Sequence, residues 1–184
     1  MKPSLRDDQV VLRRETLDGL PAPRAPEGYR FRRFRAGDEA GWQALYDAAF
    51  PDIPDRVHEK VSDLMASDLW NPDRVSLACL ADRPVACAVA WEPSWNAPGT
   101  GMVHWVATHP AHRRRGLGRA VVLDILRWMR SGGRRDAVLI TEVHRTAALR
   151  LYLALGFEPD FGAAADMDRR WATVRENLRR GDQP

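Results

Sequence analysis

The sequence predicts an α/β protein whose mixed β-sheet carries helices on both faces. Two apolar, strand-like runs flank a short turn, which indicates an antiparallel hairpin. A strand–loop–helix–strand–helix order over residues 102–156 then indicates a βαβ unit with parallel strands and a right-handed crossover. With 184 residues, of which 45% are hydrophobic, the chain is long enough to bury one sizeable core.

The first half of the chain predicts a leader followed by strands and helices. Residues 1–27 end in a Pro-rich stretch that excludes a continuous helix, and within this N-terminal leader residues 10–12 have the character of a short strand. The next elements, in order, are a strand at 29–34, a helix capped by Asp38, a helix at 55–66, and hairpin strands at 74–81 and 84–91 joined by Asp82 and Arg83.

The second half predicts the parallel part of the sheet and a terminal helix. Its elements, in order, are a strand at 102–108, a helix at 117–129, a strand at 137–143, a helix at 146–155 with Gly156 as its C-cap, and a weak closing strand at 160–165. Residues 28–166 form the predicted domain. The segment 167–184 predicts an amphipathic helix that carries Met167, Trp171, Val174 and Leu178 on one stripe. We expect this stripe to dock on its own domain; a homodimer contact is the second alternative, and a membrane surface is the least favoured.

The charge balance is basic but scattered. The chain has 28 Lys and Arg and 25 Asp and Glu, for a net charge of +3, and all but two of the basic residues are Arg. Acidic residues occur in the same segments, so we interpret the high Arg content as a general bias in the composition of the chain rather than as a nucleic-acid-binding surface. Cys79 and Cys87 lie in strand-like runs and are expected to be buried thiols. Because no apolar run approaches the roughly 20 residues that span a bilayer and no secretory signal is visible, we expect a soluble, cytoplasmic protein.

The chemistry concentrates at residues 109–119, between a strand and a helix. Gly116 and Gly118 allow backbone N–H groups to approach a ligand without interference from a Cβ. Unpaired amides at a helix N-terminus favour an anion. Four Arg side chains strengthen the preference for phosphate: Arg113, Arg114, Arg115 and Arg119. The glycine spacing matches neither a Walker A motif nor a dinucleotide fingerprint. The alternative is an ordinary helix N-terminus with solvated Arg side chains.

Two elements resemble the GNAT superfamily, the GCN5-related N-acetyltransferases. The pyrophosphate loop of that family is written Arg/Gln-x-x-Gly-x-Gly/Ala. Residues 113–118, Arg-Arg-Arg-Gly-Leu-Gly, fit every fixed position, and Pro110 lies three residues before them, as in the family. The family element Ala-x-x-Leu-Tyr-x-x-x-Gly-Phe fits residues 148–157. The sequence departs from the family at Arg145, where Asn is common, and at Thr108, where an aliphatic residue is usual.

The resemblance implies a GNAT fold and an acyl-CoA co-substrate, usually acetyl-CoA. Backbone groups of Val106 and Thr108, on either side of Ala107, would pair with the pantetheine amides, and the amide of Val106 would polarise the thioester carbonyl. The pyrophosphate would be held by the amides of residues 114–119, which include Leu117. The spacing of the loop histidines, by contrast, predicts no metal site.

Catalytic roles follow from the resemblance only in part. Tyr152 would protonate the leaving thiolate, although its helical spacing with Ala148, Leu151 and Leu155 also fits a core tyrosine. A general base must remove a proton from the acceptor ammonium. The candidates for this base are His104, Glu142 and Glu92. For each of them the alternative is a structural role, with a water chain carrying the proton.

The sequence therefore predicts an N-acetyltransferase that transfers the acetyl group of acetyl-CoA to an amine of a small molecule or peptide, by direct attack in a ternary complex. One alternative is a protein N-terminal or lysyl acetyltransferase, and another is a non-catalytic acyl-CoA-binding domain. A third is a nucleic-acid-binding module built on the loop arginines. No acidic cluster is visible, which disfavours a polycationic acceptor, whereas Trp91 and Trp95 are candidates for an apolar acceptor pocket.

Overall fold

The computed structural model describes residues 4–51, 60–92 and 97–181, and the chain divides into two compact units. The first unit comprises Met1–Asp18, Glu92–Met102 and Gly133–Pro184, and the second comprises Gly19–Trp91 and Val103–Gly132. Strand β5 runs from Thr100 to Thr108 and therefore contributes to both units. Within the described ranges, every helix is too short or too polar to cross a membrane.

The second unit is a sheet covered by helices on both faces. Its strands are, in spatial order, β2 (Tyr29–Arg33), β3 (Val75–Leu80), β4 (Arg83–Trp91) and the later part of β5, and the first three are antiparallel. Its helices are α1 (Glu39–Ala49), α2 (Val61–Met65) and α3 (Leu117–Ser131). Because strand side chains alternate, Leu77 of β3 packs with Trp42 of α1 on one face, while α3 packs against β3 and β4 on the other.

The first unit contains the parallel part of the sheet. Its strands are, in spatial order, the start of β5, then β6 (Asp136–Glu142), β1 (Gln9–Arg14) and β7 (Glu158–Pro159). Strands β5 and β6 are parallel, whereas β1 is antiparallel to both of its neighbours. Its helices are α4 (Thr146–Ala154) and α5 (Met167–Arg180). The predicted mixed sheet with flanking helices is therefore confirmed, and so is the short strand at residues 10–12.

Helix α5 docks on its own unit, which is the first of the three alternatives expected for its apolar stripe. Met167, Trp171 and Val174 are buried, and the Asn177 side chain donates a hydrogen bond to the Val143 carbonyl at 2.9 Å. Arg170 lies outside the predicted apolar stripe, yet it is buried as well. Only 6% of this residue is exposed, and its guanidinium donates to the Gln9 carbonyl at 2.9 Å. A buried cation is tolerated there because backbone carbonyls of the β1 segment accept its hydrogen bonds.

Most predicted elements differ from the structure by one or two residues at an end, and three differences bear on the fold. The hairpin turn consists of Ala81 and Asp82, with φ of 46° and 66°, so the turn is one residue earlier than predicted and has the left-handed geometry of a type I′ hairpin. The strand predicted at 160–165 is absent there, and the two-residue β7 precedes it. Only residues 61–65 of the predicted helix at 55–66 are helical among the described residues, and 55–59 lie outside them.

Asp38 precedes α1 as predicted, but its carboxylate does not cap the helix. It accepts hydrogen bonds from Nη2 of Arg32 at 2.7 Å and from the backbone N–H of Arg35 at 2.9 Å. Burial disfavours the charged carboxylate, yet these hydrogen bonds outweigh it and lower the pKa of Asp38. The carboxylate thus ties the end of β2 to the start of α1.

This ion pair makes stability depend on pH in a defined direction. The folded-state pKa of Asp38 lies below the unfolded value of about 3.9. The stabilisation is therefore present above that value and is lost as the pH falls through the folded-state pKa. We expect Asp38→Asn to lower the free energy of unfolding by about 2 kcal/mol at pH 7. Urea unfolding from pH 2 to 7 should show the difference from the natural protein shrinking in acid; a difference that stays constant would contradict this account.

Candidate active site

The loop between β5 and α3 presents backbone amides at a helix N-terminus. Gly116 is the N-cap of α3 with φ of 77°, and nothing lies within 4 Å of the position a Cβ would occupy there. No side chain of the described residues caps the first turn of α3. Leu117 is 1% exposed and fixes the start of the helix in the core. The open amides and the helix dipole together favour a bound anion.

The loop takes its shape from two left-handed residues. These are Arg114, with φ of 60°, and Gly116, whereas Gly118 is the second residue of α3. The short 3-10 helix Pro110–His112 precedes them. A substitution at Gly118 would therefore not strain the backbone, because the helical conformation suits any residue other than proline.

Arg113 uses its guanidinium within the protein. Nη2 donates to the Ala49 carbonyl at 3.0 Å, and Nε lies 3.5 Å from the Thr108 carbonyl. Helix α1 has no basic residue in its last turn, so Arg113 supplies the cation that stabilises the helix C-terminus. The side chains of Arg114, Arg115 and Arg119 are exposed beside the loop. Arg113 therefore holds the loop to α1, and the other three contribute positive charge around it.

A tyrosine–histidine contact holds the start of the loop to the sheet. The Tyr29 hydroxyl lies 2.9 Å from Nδ1 of His112, and the rings of His109 and His112 are 5.5 Å apart. Burial lowers the pKa of His112, and repulsion from His109, Arg115 and Arg83 lowers it further. His112 is therefore neutral at pH 7, and the positive charge of the loop comes from its arginines.

Strand β5 is kinked at Trp105, which no sequence signal indicated. Trp105 has φ of 49° inside the strand, where neither glycine nor proline marks a bulge. Strand β5 pairs in parallel with β6 from Thr100, opposite Asp136, to Met102, opposite Val138. Beyond the kink, Val106 and Thr108 are half-buried and Ala107 is 3% exposed. Among the described residues, no β6 partner is recorded for this later part of β5.

Tyr152 lies in the first unit, on α4. It is 6% exposed, and its ring lies 6.1 Å from that of Phe157 at an interplanar angle of 64°. Helix α4 ends one residue earlier than predicted, with Leu155 as its C-cap, and the predicted cap Gly156 is the left-handed residue that follows, with φ of 77°. The Phe157 N–H donates to the Tyr152 carbonyl at 3.0 Å. The buried stripe of the helix differs from the predicted one, since Leu149 is fully buried while Leu151 is only half-buried.

The two acidic base candidates, also in the first unit, are engaged in ion pairs. Glu142 accepts from Nη2 of Arg6 at 2.7 Å through one oxygen and from Nε of Arg145 through the other. Glu92 accepts from Nε of Arg134 at 2.8 Å. Both carboxylates are therefore already partners in ion pairs with arginines.

His104 belongs to the second unit, with the loop and residues 106–108. It is half-buried on β5, and its ring lies 6.0 Å from the Trp91 ring. Trp91 therefore packs beside a base candidate as part of the partly buried edge of the core. Trp95, the other tryptophan proposed to line an acceptor pocket, lies outside the described residues.

Comparison with known proteins agrees with this arrangement. Residues 42–157 match the acetyltransferase (GNAT) family, which is more than half of the chain. The chain belongs to the GNAT family. The match contains the loop, β5 and α4, so it spans every element that carries a candidate site residue.

Individual GNAT proteins resemble the chain over most of its length. A mycothiol acetyltransferase of Thermobispora bispora is 37% identical over 153 residues, which cover 79% of this chain and 52% of that protein. A crystal structure of a GCN5-related N-acetyltransferase from Sphaerobacter thermophilus superposes with a TM-score of 0.68 at 28% identity, over 83% of this chain and 48% of that one. The chain spans about half the length of the curated relatives it matches.

A third likeness concerns a CoA complex. The aminoglycoside N-acetyltransferase AAC(6')-Iy, solved in complex with CoA, superposes with a TM-score of 0.57 at 20% identity. The superposition covers 75% of this chain and 92% of that one. At this level of identity the likeness concerns the fold.

The loop geometry makes a testable prediction about Gly118. Gly118→Val should weaken acetyl-CoA binding by about tenfold or more, because the branched side chain would occupy the space in front of the α3 amides. Arg113→Ala should weaken binding less, since the backbone amides remain, but it should lower the melting temperature by detaching the loop from α1. Isothermal titration calorimetry and thermal unfolding measure both effects. A folded Gly118→Val variant with unchanged affinity would contradict the loop assignment.

Proposed function

We propose that this chain is an N-acetyltransferase that transfers the acetyl group of acetyl-CoA to the amine of a small molecule. The observation that carries the proposal is the set of uncapped amides at the start of α3, on residues that fit the pyrophosphate loop of the GNAT family. The relatives named mycothiol acetyltransferase favour a small-molecule acceptor over a protein. Because the chain spans about half of their length, the identity of the acceptor does not carry over from them.

In the proposed reaction the protein positions the thioester and supplies proton transfers. The α3 amides hold the pyrophosphate, and Val106 and Thr108 pair with the pantetheine arm through their backbone groups. The acceptor nitrogen forms a bond to the thioester carbonyl carbon, while the amide of Val106 stabilises the developing oxyanion. The C–S bond then breaks, the amide product keeps the acetyl group, and Tyr152 protonates the departing thiolate.

We assign the general base to His104 in preference to Glu142 and Glu92. Both carboxylates are already held by guanidinium groups, and imidazole titrates near neutral pH, where an amine must lose its proton before attack. His104 also lies on β5, the strand that carries Val106. The nitrogen of an ammonium acceptor loses two protons as the amide forms, and His104 accepts them in turn and passes them to solvent. The thiolate takes one proton from Tyr152, which is reprotonated from solvent, so both residues return to their starting states and one proton is released overall.

Two other functions differ from this one in a measurable way. A non-catalytic acyl-CoA-binding domain would gain thermal stability from acetyl-CoA but release no thiol with any amine. A nucleic-acid-binding module would bind DNA or RNA in a salt-dependent manner, even at saturating CoA. A cytoplasmic location, where acetyl-CoA is produced and used, is part of the proposal. A screen of amine acceptors read by release of the free thiol separates the enzyme from both alternatives, and thermal unfolding with acetyl-CoA together with a nucleic-acid binding assay separates these two from each other.

Tyr152 provides the sharper test of the mechanism. Tyr152→Phe should lower kcat by about tenfold or more, with acetyl-CoA affinity and melting temperature nearly unchanged, because only the proton donor is removed. A core tyrosine would behave differently: the same change would lower stability by about 1 kcal/mol and leave kcat unchanged. Thiol release, calorimetry and urea unfolding on the same preparations distinguish the two. Undiminished turnover in Tyr152→Phe would remove Tyr152 from the mechanism.

A further inference from the structure

The kink in β5 places a bulky residue in a backbone conformation that L-residues rarely adopt. Four described non-glycine residues have a positive φ: Ala81, Asp82, Trp105 and Arg114. The other three lie in the hairpin turn and the α3 loop, where no ladder is interrupted. Trp105 lies inside a strand and is 8% exposed. A strained conformation of this kind persists only where the surrounding contacts hold it.

One of these contacts is the Cys87 thiol. Cys87 lies on β4, is fully buried, and donates a hydrogen bond from Sγ to the Trp105 carbonyl at 3.1 Å. A bulge removes a backbone carbonyl from the regular ladder, and a buried carbonyl needs a donor. Burial raises the pKa of Cys87 to about 12, so the thiol keeps its hydrogen at neutral pH.

The Trp105 indole is held from the helix side. The Tyr46 ring of α1 stacks on it with centroids 4.2 Å apart and an interplanar angle of 18°. The Trp42 ring meets it edge-on at 5.7 Å and 66°. The backbone carbonyl and the side chain of Trp105 are therefore fixed by different residues. This leaves little freedom for the peptide that joins Trp105 to Val106.

We infer that Cys87 is a positioning residue for acyl transfer, whose thiol holds the Trp105 kink and thereby directs the amide of Val106. The inference rests on the proposed function, in which that amide polarises the thioester carbonyl. The Trp105 carbonyl and the Val106 N–H belong to one planar peptide and point in opposite directions. A hydrogen bond that fixes the carbonyl toward Cys87 therefore fixes the direction of the N–H as well. Cys87 reaches the reaction through the backbone and touches no reacting atom.

The chain offers a matched set of variants for the test. Cys87→Ala removes the donor, and Cys87→Ser restores a hydrogen-bond donor at the same position. Cys79→Ala is the control, because Cys79 is a fully buried thiol of the same core cluster but lies on β3, which β4 separates from β5. Cavity effects are thus similar in the two alanine variants, and only one of them loses the bond to Trp105.

We expect Cys87→Ala to lower kcat about tenfold relative to Cys79→Ala, since a buried carbonyl loses its partner, while the acetyl-CoA Kd changes less than about threefold. Cys87→Ser should recover kcat to within about threefold of the natural protein. Hydrogen exchange of a peptide that contains residues 103–108, measured without ligand, should be several-fold faster in Cys87→Ala than in Cys79→Ala.

Two results would overturn the inference. The first is an equal effect of the two alanine substitutions on kcat and on hydrogen exchange, which would reduce Cys87 to a packing residue. The second is a loss of acetyl-CoA affinity in Cys87→Ala with kcat unchanged. If the natural protein itself fails to bind acetyl-CoA, the proposed function fails and the role in acyl transfer falls with it. The exchange comparison still shows in that case whether Cys87 holds the kink.

Discussion

The parallel pairing of β5 with β6 runs from Thr100 to Met102, and much of the proposed chemistry depends on where it stops. Among the described residues, no β6 partner is found for the later part of β5, whose other neighbour in the sheet is β4. A strand that pairs regularly on both edges has no backbone group left for a ligand. In the proposed function, the amides of this later part, which contains the kink at Trp105, pair with an extended substrate as a further strand would.

The α3 loop obeys a similar rule about unsatisfied groups. A helix leaves its first amides without intrahelical acceptors, and side chains such as Ser or Asp usually satisfy them. Here the N-cap is a glycine, which cannot do so, and the neighbouring Arg113 turns its guanidinium to the Ala49 carbonyl instead. The Arg113 side chain thus stabilises the scaffold, and in the proposed function the backbone amides recognise the phosphate.

Much of the fold was predictable because periodicity and turn chemistry are local. The hairpin, the amphipathic stripe of α3 and the glycine after α4 each left a signal within a few residues of sequence. The burial of Arg170 left no such local signal, because it depends on carbonyls of the β1 segment more than 150 residues away in the sequence. The kink at Trp105 was equally unpredictable, since the contacts that hold it come from β4 and α1. The engagement of Glu142 and Glu92 by arginines was missed for the same reason: pairing partners distant in sequence leave no local pattern.

The hairpin turn offers a means of changing stability separately from chemistry. Ala81 has a φ of 46° in a turn whose geometry favours Asn or Gly, so the turn is held by the strands rather than by its own residues. That strain makes the turn a target for protein engineering, because a residue suited to the left-handed region would relieve it at the tip of the hairpin. The register of β3 and β4 shifts between Ala78 and Cys79, and Leu77 lies opposite Cys87 beyond that shift. A change of residue at the tip should therefore act on stability while Cys87 stays opposite Leu77.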